Sequence, residues 1–252
     1  MSDDEEHPSP FGRPGFIAAA VVVGVIVVLA VVVGITTAGQ EEAQPSASQT
    51  SAPSPTAPAP DDSSEASGGG ESVCGLEGVV TSGRVTTAPD ATWDYVGSVA
   101  VPTSPVFGPG AKSDEGYHYC FQHSPTGALF AAANSLATAS APSMYATWSE
   151  YMISDQVPNK AELVEQARSG QDDTTRSRGR IVGFRVLEYT GDSALVDLAV
   201  QASSPQSGTV TASAMFKLVW QDGDWKSAAF DNGDISNVSP IPNTAGYVAW
   251  SA

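Results

Sequence analysis

The chain has few basic residues for its acidic content. Its 252 residues include 11 Lys and Arg against 28 Asp and Glu, which gives a formal net charge of −17. Because binding to phosphate groups needs clustered Lys and Arg, this balance argues against nucleic acid as a direct partner. It also argues against adhesion to a surface of anionic lipids.

The sequence lacks several common catalytic motifs. It contains no G-x-S-x-G, S-x-x-K or H-E-x-x-H motif and no Gly-rich loop placed to hold phosphate. His118 and His123 flank Cys120, but no third metal ligand stands at a suitable spacing. Asp197 interrupts an apolar strand pattern, and we expect it to face solvent and not to act as a buried general base. The sequence therefore predicts no enzyme activity, no cofactor and no metal.

Cysteine is scarce as well, since Cys74 and Cys120 are the only two. An even number in an exported domain predicts one disulfide, and two buried free thiols are the alternative. The bridge would close a loop of about 46 residues, which corresponds to about 4 kcal/mol in the chain-entropy model.

One segment has no charged residue and no proline, the run Phe16–Ile35. As a helix it is about 30 Å long, which matches the hydrocarbon core of a bilayer. We predict a transmembrane helix over 16–38; a cleaved signal peptide is the alternative, but its apolar region is normally shorter. Arg13 is the only nearby base, so we expect 1–15 to be a cytoplasmic tail and the C-terminal bulk to be extracellular.

Residues 39–72 form a Pro/Ser/Gly-rich segment with almost no large apolar side chain. Such a composition cannot build a core, so we predict a disordered linker. As a flexible coil it would span roughly 30 Å and would hold a folded domain away from the membrane.

Residues 73–252 have the composition of one globular domain. Pro and Gly interrupt the first part, 73–123, which we expect to be an extended arm over the core. Within this arm we predict strands at Trp93–Val101 and Tyr117–Gln122. The remainder, 124–252, is expected to hold helices and an antiparallel sheet.

Three helices are predicted after the arm. The first has Ser124 as its N-cap and Pro125 at its first position. The second begins after Pro142, and the third covers Asn159–Arg168.

Strands follow the helices, and Thr209–Trp220 is the clearest because apolar residues occupy its even positions. Two alternating stretches precede it, with predicted inward residues Val182, Phe184 and Val186 in one and Val196, Leu198 and Val200 in the other. Turn signals at Thr190–Asp192 and Asp222–Gly223 connect these strands and a last one at Trp225–Phe230 into a meander. Helices packed on a curved antiparallel sheet make an α+β domain.

This order of elements, ending in the "DGDWK" hairpin, resembles the nuclear transport factor two-like cone fold. The layout of tail, anchor, stalk and domain resembles the inner-membrane scaffold proteins of type IV secretion and conjugation systems. A family of uncharacterised actinobacterial membrane proteins, often found in integrated mobile elements, is similar in five stretches. These are "CGL" at Cys74–Leu76, "TTAP" at Thr86–Pro89, "PTSP" at Pro102–Pro105, "CFQHSPTGALFAAAN" at Cys120–Asn134 and the closing "YVAWS". The resemblance implies an association with conjugation, although a minimal cone fold lacks the Pro-rich arm.

Two main functions are compatible with these features, beside a third, that of a free-standing sensor or lipid-sheltering protein of the envelope. The first is a membrane-anchored, non-enzymatic assembly or interaction protein of the cell envelope, in conjugative DNA transfer, with other envelope or secretion-system proteins or a second copy as partners. The second is a small-ligand binder or enzyme that uses the cavity of the cone. A cavity plugged by Phe130, Trp148 and Phe184 would count against the second function.

Two sets of residues are candidates for contact with partners. The aromatic set is Trp93, Tyr95, Phe107 and Trp250, and its alternative, favoured for Trp93 and Trp250, is packing against the domain's own core. The basic set is Arg176, Arg178 and Arg180, which would dock an acidic partner or lie in a solvated loop.

Overall fold

A computed structural model describes residues 71–169, 178–204 and 208–252. The predicted tail (1–15), transmembrane helix (16–38) and nearly all of the linker (39–72) lie outside the described residues. Within the described part of the chain, no helix is long and apolar enough to cross a bilayer.

Three helices follow the arm, as predicted. They are α1 (Pro125–Ala139), α2 (Pro142–Met152) and α3 (Lys160–Ser169). The Ser124 hydroxyl accepts a hydrogen bond from the Gly127 N–H at 2.9 Å, so the predicted N-cap of α1 is confirmed.

The main sheet is antiparallel and follows the helices, which confirms an α+β domain. Its strands are β5 (Arg178–Tyr189), β6 (Ser193–Ser204), β7 (Gly208–Gln221), β8 (Asp224–Ser227), β9 (Asn237–Pro240) and β10 (Val248–Ala249). They lie in the order β10-β5-β6-β7-β8, and β9 pairs with the same edge of β7 as β8 does. The C-terminal segment therefore runs from one edge of the sheet to the other.

The face of the sheet that packs on the helices, its inner face, contains the predicted apolar residues of β6 and β7. In β5, the prediction that Val182 points inward is wrong. Val182 is only half-buried, whereas Ile181 is buried. The reason is an irregularity in the pairing, because Ile181 lies opposite Val200 and Gly183 lies opposite Ala199. Val182 is an extra residue in β5, so the alternation of inward and outward side chains shifts by one position there. A prediction that assumes a strict period of two misses this shift.

The arm contains more strands than predicted. The single strand at Trp93–Val101 is wrong, since β1 (Thr92–Val96) and β2 (Val99–Thr103) form an antiparallel hairpin. A second pair joins β3 (Ala111–Lys112) to β4 (His118–Tyr119), so the strand predicted to reach Gln122 is shorter. Cys120 has a positive φ of 67°, and this left-handed conformation ends the strand.

Helix α1 is the centre of the domain, because it is enclosed on two sides. Leu129 and Phe130 pack into the core against the sheet, and Ala137 packs against the β1–β2 hairpin of the arm. A helix enclosed in this way is apolar around most of its circumference, as the Ala-rich sequence of α1 is.

Candidate functional site

A disulfide joins Cys74 to Cys120, with a Cα–Cα distance of 6.0 Å, so the predicted bridge is confirmed. Cys120 is fully buried. The bridge fastens the start of the arm to the segment that leads into α1.

Asp224 in β8 lies beside this bridge with 0% of its surface exposed. Its carboxylate accepts hydrogen bonds from the Cys120 N–H at 2.7 Å and the Phe121 N–H at 2.9 Å. It also accepts from the Tyr151 hydroxyl at 2.7 Å and from the Trp225 N–H at 2.9 Å. Burial raises the pKa of Asp224, while the hydrogen bonds from Phe121, Tyr151 and Cys120 act in the opposite direction. One carboxylate thus connects the arm, α2 and β8.

Lys226 lies two residues further along β8 and is 5% exposed. Its ammonium nitrogen is 3.1 Å from the centroid of the Tyr151 ring. Burial lowers the pKa of Lys226 to about 8, although Asp224 acts in the opposite direction. Burial and the neighbouring Asp224 raise the pKa of the Tyr151 hydroxyl. The buried Asp224 and Lys226 and the half-buried Tyr151 therefore form one polar cluster, which we call the Asp224 cluster.

Replacing Lys226 by methionine should change how stability depends on pH. The pKa of Lys226 is about 8 in the folded chain against an ordinary 10.5, so the folded state disfavours the charged form. This cost applies below pH 8 and disappears as the pH rises to 10.5. Relative to Lys226→Met, the wild-type free energy of unfolding should therefore rise by on the order of 2–3 kcal/mol across this interval.

Urea unfolding of the full chain in detergent, followed by circular dichroism, measures this difference. Lys217→Met is the matched control, because Lys217 is exposed on the same sheet. Its stability should run parallel to wild type at every pH. A parallel course for Lys226→Met as well would contradict the prediction.

The prediction that Asp197 faces solvent is wrong. Asp197 lies on the face opposite Val196 and Leu198, as expected, but it is 0% exposed. Its carboxylate accepts hydrogen bonds from the Ser213 hydroxyl at 2.6 Å, the Tyr247 hydroxyl at 2.7 Å and Arg185. The C-terminal segment brings Tyr247 over this face and covers it.

The two histidines predicted not to form a metal site lie in different surroundings. His118 Nδ1 is 2.8 Å from the side-chain oxygen of Asn134. His123 Nε2 donates to the Gly191 carbonyl at 2.8 Å, and the imidazole stacks on Trp220 at a centroid distance of 3.9 Å. In the described ranges, no group of three or more His, Cys, Asp or Glu residues is arranged to hold a metal ion.

The aromatic candidates for partner contact divide between core and surface. Trp250 is 5% exposed, and its ring lies 5.2 Å from that of Trp93. Phe107 is half-buried against Phe130 at 5.7 Å. Tyr95, in contrast, is 66% exposed at the end of the β1–β2 hairpin. Only Tyr95 of this set presents most of its side chain to solvent.

The basic candidates are partly described. Arg180 is exposed and donates hydrogen bonds to the Gln201 side chain at 2.6 and 3.1 Å. Arg178 opens β5, and Arg176 lies outside the described residues. Of the three, Arg180 is thus the one whose side chain is placed on the surface.

Sequence reasoning missed the buried Asp224 and the residues that surround it and Asp197. The surrounding residues are Tyr151, Arg185, Ser213, Lys226 and Tyr247. A signal was present in "DGDWK", because Asp224 and Lys226 occupy alternate positions after a turn and would share one face of a strand. Their burial depends on the arm and on α2, which are distant in sequence.

The comparisons with known proteins give one match. Neither a curated protein nor a solved structure matches the chain significantly. A family model matches residues 38–249, which begin just after the apolar run and end at the last residue of β10. The match covers more than half of the chain, so the chain belongs to the family described as "Domain of unknown function (DUF8175)".

Proposed function

We propose that the chain is a membrane-anchored, non-enzymatic interaction protein of the cell envelope. In this proposal Phe16–Ile35 spans the membrane with the N-terminus in the cytoplasm. The linker then carries the domain outside, where surface residues such as Tyr95 and Arg180 contact other envelope proteins.

The disulfide supports the part of this proposal that places the domain outside the cell. Bridges between cysteines persist in oxidising compartments and are rare in the cytoplasm. Cys74 and Cys120 both follow the apolar run in sequence, so a membrane-spanning helix there would place them on the same, external side.

The non-enzymatic part is supported by how the buried polar groups are used. Asp197 and Asp224 each accept hydrogen bonds from several elements of the fold. A carboxylate engaged in this way is poorly placed to take a proton from a substrate. Phe130, Trp148 and Phe184 are buried in the core, which is the packing that counts against a ligand-holding cone.

The narrower part of the proposal concerns the kind of assembly. Three helices that precede an antiparallel sheet, with the β7–β8 hairpin near its end, fit a cone-like fold of the nuclear transport factor two-like type. With the proposed anchor and stalk, this supports a scaffold role in conjugative DNA transfer by resemblance.

Protease treatment of intact cells tests the topology. With different tags at the two ends, we expect a nonspecific protease to remove the C-terminal tag and to leave the N-terminal tag protected. A cytoplasmic protein that remains intact is the control for leakage. Protection of both tags, or release of the intact domain into the medium, would refute the anchor.

Photo-crosslinking in cells tests the interaction role. A photoreactive amino acid in place of the exposed Tyr95 should give adducts with another envelope protein. The same amino acid in place of Leu163 in α3, which is half-buried against Ile153 and Val157, is the control for nonspecific capture. Identical adduct patterns at both positions would argue against a specific surface at Tyr95.

A further inference from the structure

The C-terminal segment Tyr247–Trp250, which we call the strap, is held on both faces of the sheet. Its Tyr247 ring lies 4.1 Å from the Arg185 guanidinium, and its hydroxyl donates to Asp197 on the outer face. Three residues later, Trp250 enters the core on the inner face. The strap therefore contacts the edge of β5 from both faces of the sheet, through the Tyr and the Trp of the closing "YVAWS" stretch.

Few backbone contacts hold the strap between these two side chains. Strand β10 pairs with only Phe184 and Gly183 of β5, and the Trp250 N–H donates to the Val182 carbonyl at 3.3 Å. A Cβ on Gly183 would lie 2.9 Å from the Val248 carbonyl oxygen, so glycine permits this close approach. The position of the strap on β5 is therefore determined mostly by the side chains of Tyr247 and Trp250.

The connection that leads into the strap is exposed over residues 242–246. One hydrogen bond lies within it, from the Ala245 N–H to the Asn243 side chain at 2.9 Å, and the Tyr247 N–H donates to its Thr244 carbonyl at 3.1 Å. Gly246 has a positive φ of 83°. An exposed turn with a glycine can extend without loss of core packing, so it is suited to act as a hinge.

The strap covers a groove along the edge of β5, which has Asp197 on the outer face of the sheet and the rings of Trp93, Phe130 and Phe184 on the inner face. If Tyr247 left, Asp197 would lose one of its donors in a site that the strap covers. If Trp250 left, the rings of Trp93, Phe130 and Phe184 would lose a neighbour that lies within 5.2–5.4 Å of each of them. The groove thus fits an extended segment with a phenol and an indole three residues apart, and every copy of this chain carries that segment.

We propose that the groove along the β5 edge is a docking site between copies of the chain, which takes the strap of a second copy in exchange for its own. Exchange preserves each contact that the strap makes with the sheet and the core and changes only the conformation of residues 242–246, so it is a low-cost route to a dimer. Confinement to a membrane, which rests on the proposed function, would favour it by raising the local concentration.

Shortening the connection in the full, detergent-solubilised chain tests this inference. Deletion of Asn243–Ala245 should prevent the strap from reaching its own groove while it still reaches that of a neighbour. Co-purification of two differently tagged copies should then rise several-fold. Replacement of the same three residues by Gly-Ser-Gly keeps the length and should leave co-purification at the wild-type level. Adding Tyr247→Phe, which removes only the hydroxyl that donates to Asp197, should reduce the dimer.

A second measurement does not depend on the folding of the shortened chain. A photoreactive amino acid in place of the exposed Ala249 should give adducts between differently tagged copies, mapped to β5 of the other copy. Adducts confined to one copy, or adducts between copies away from β5, would overturn the proposal. So would a folded, shortened chain that stays monomeric. Because both measurements use purified chain, their failure would leave the proposed topology untouched.

Discussion

Replacing Asp224 by alanine should lower the free energy of unfolding by about 3–5 kcal/mol, the range for removing one partner from a buried charged network. The substitution leaves the N–H groups of Cys120 and Phe121 without their acceptor. It also removes the negative charge that offsets the buried ammonium of Lys226. Urea unfolding of the full chain in detergent, followed by tryptophan fluorescence, measures the loss.

Asp222→Asn is the matched control, because Asp222 lies in the same hairpin and is exposed. Its φ of 54° is one that asparagine adopts readily. We expect a change within about 0.5 kcal/mol. Equal losses at the two positions would show that the hairpin, and not the carboxylate, determines the effect.

Removing the disulfide with Cys74→Ala and Cys120→Ala should cost about 4 kcal/mol for a closed loop of this length. The bridge spans 46 residues and includes the whole β1–β2 hairpin. Its loss frees the start of the arm, whose β1–β2 hairpin packs on α1. The same unfolding measurement applies, and a loss below about 1 kcal/mol would contradict the entropic account.

The disulfide and Asp224 should also be coupled, because Cys120 takes part in both. Asp224→Asn keeps the size of the side chain but replaces acceptor oxygen by a donor amide. A double-mutant cycle between this change and the loss of the bridge should give a coupling energy of about 0.5–3 kcal/mol. Additive effects would mean that the bridge does not position the Cys120 N–H.

The elements that the sequence predicted well are those defined by local pattern. Apolar residues occupy every even position of β7 from Val210 to Trp220, and Ser124 with Pro125 defines the start of α1, so both follow from neighbouring residues alone. The disulfide needed only the count of cysteines and the order of segments. In each of these cases the controlling interactions are local or covalent.

The errors at Asp197 and Val182 and the missed Asp224 cluster have a common physical cause, namely contacts between residues distant in sequence. Asp197 was expected in solvent because its strand neighbours define the faces, but Tyr247, 50 residues later, covers it. The irregularity at Val182 depends on pairing with β6 and β10. The Asp224 cluster requires the arm, α2 and β8 together, so no single stretch of sequence contains it.

The bond between the Cys120 N–H and Asp224 has a consequence for the order in which the domain matures. It spans 104 residues, more than twice the separation of the two cysteines. Since a chain is synthesised from its N-terminus, both thiols emerge long before β8 exists. A bridge that forms early would therefore form before the Cys120 N–H has its acceptor in β8. We expect oxidation of the cysteines and the packing of β8 to be separate, successive events.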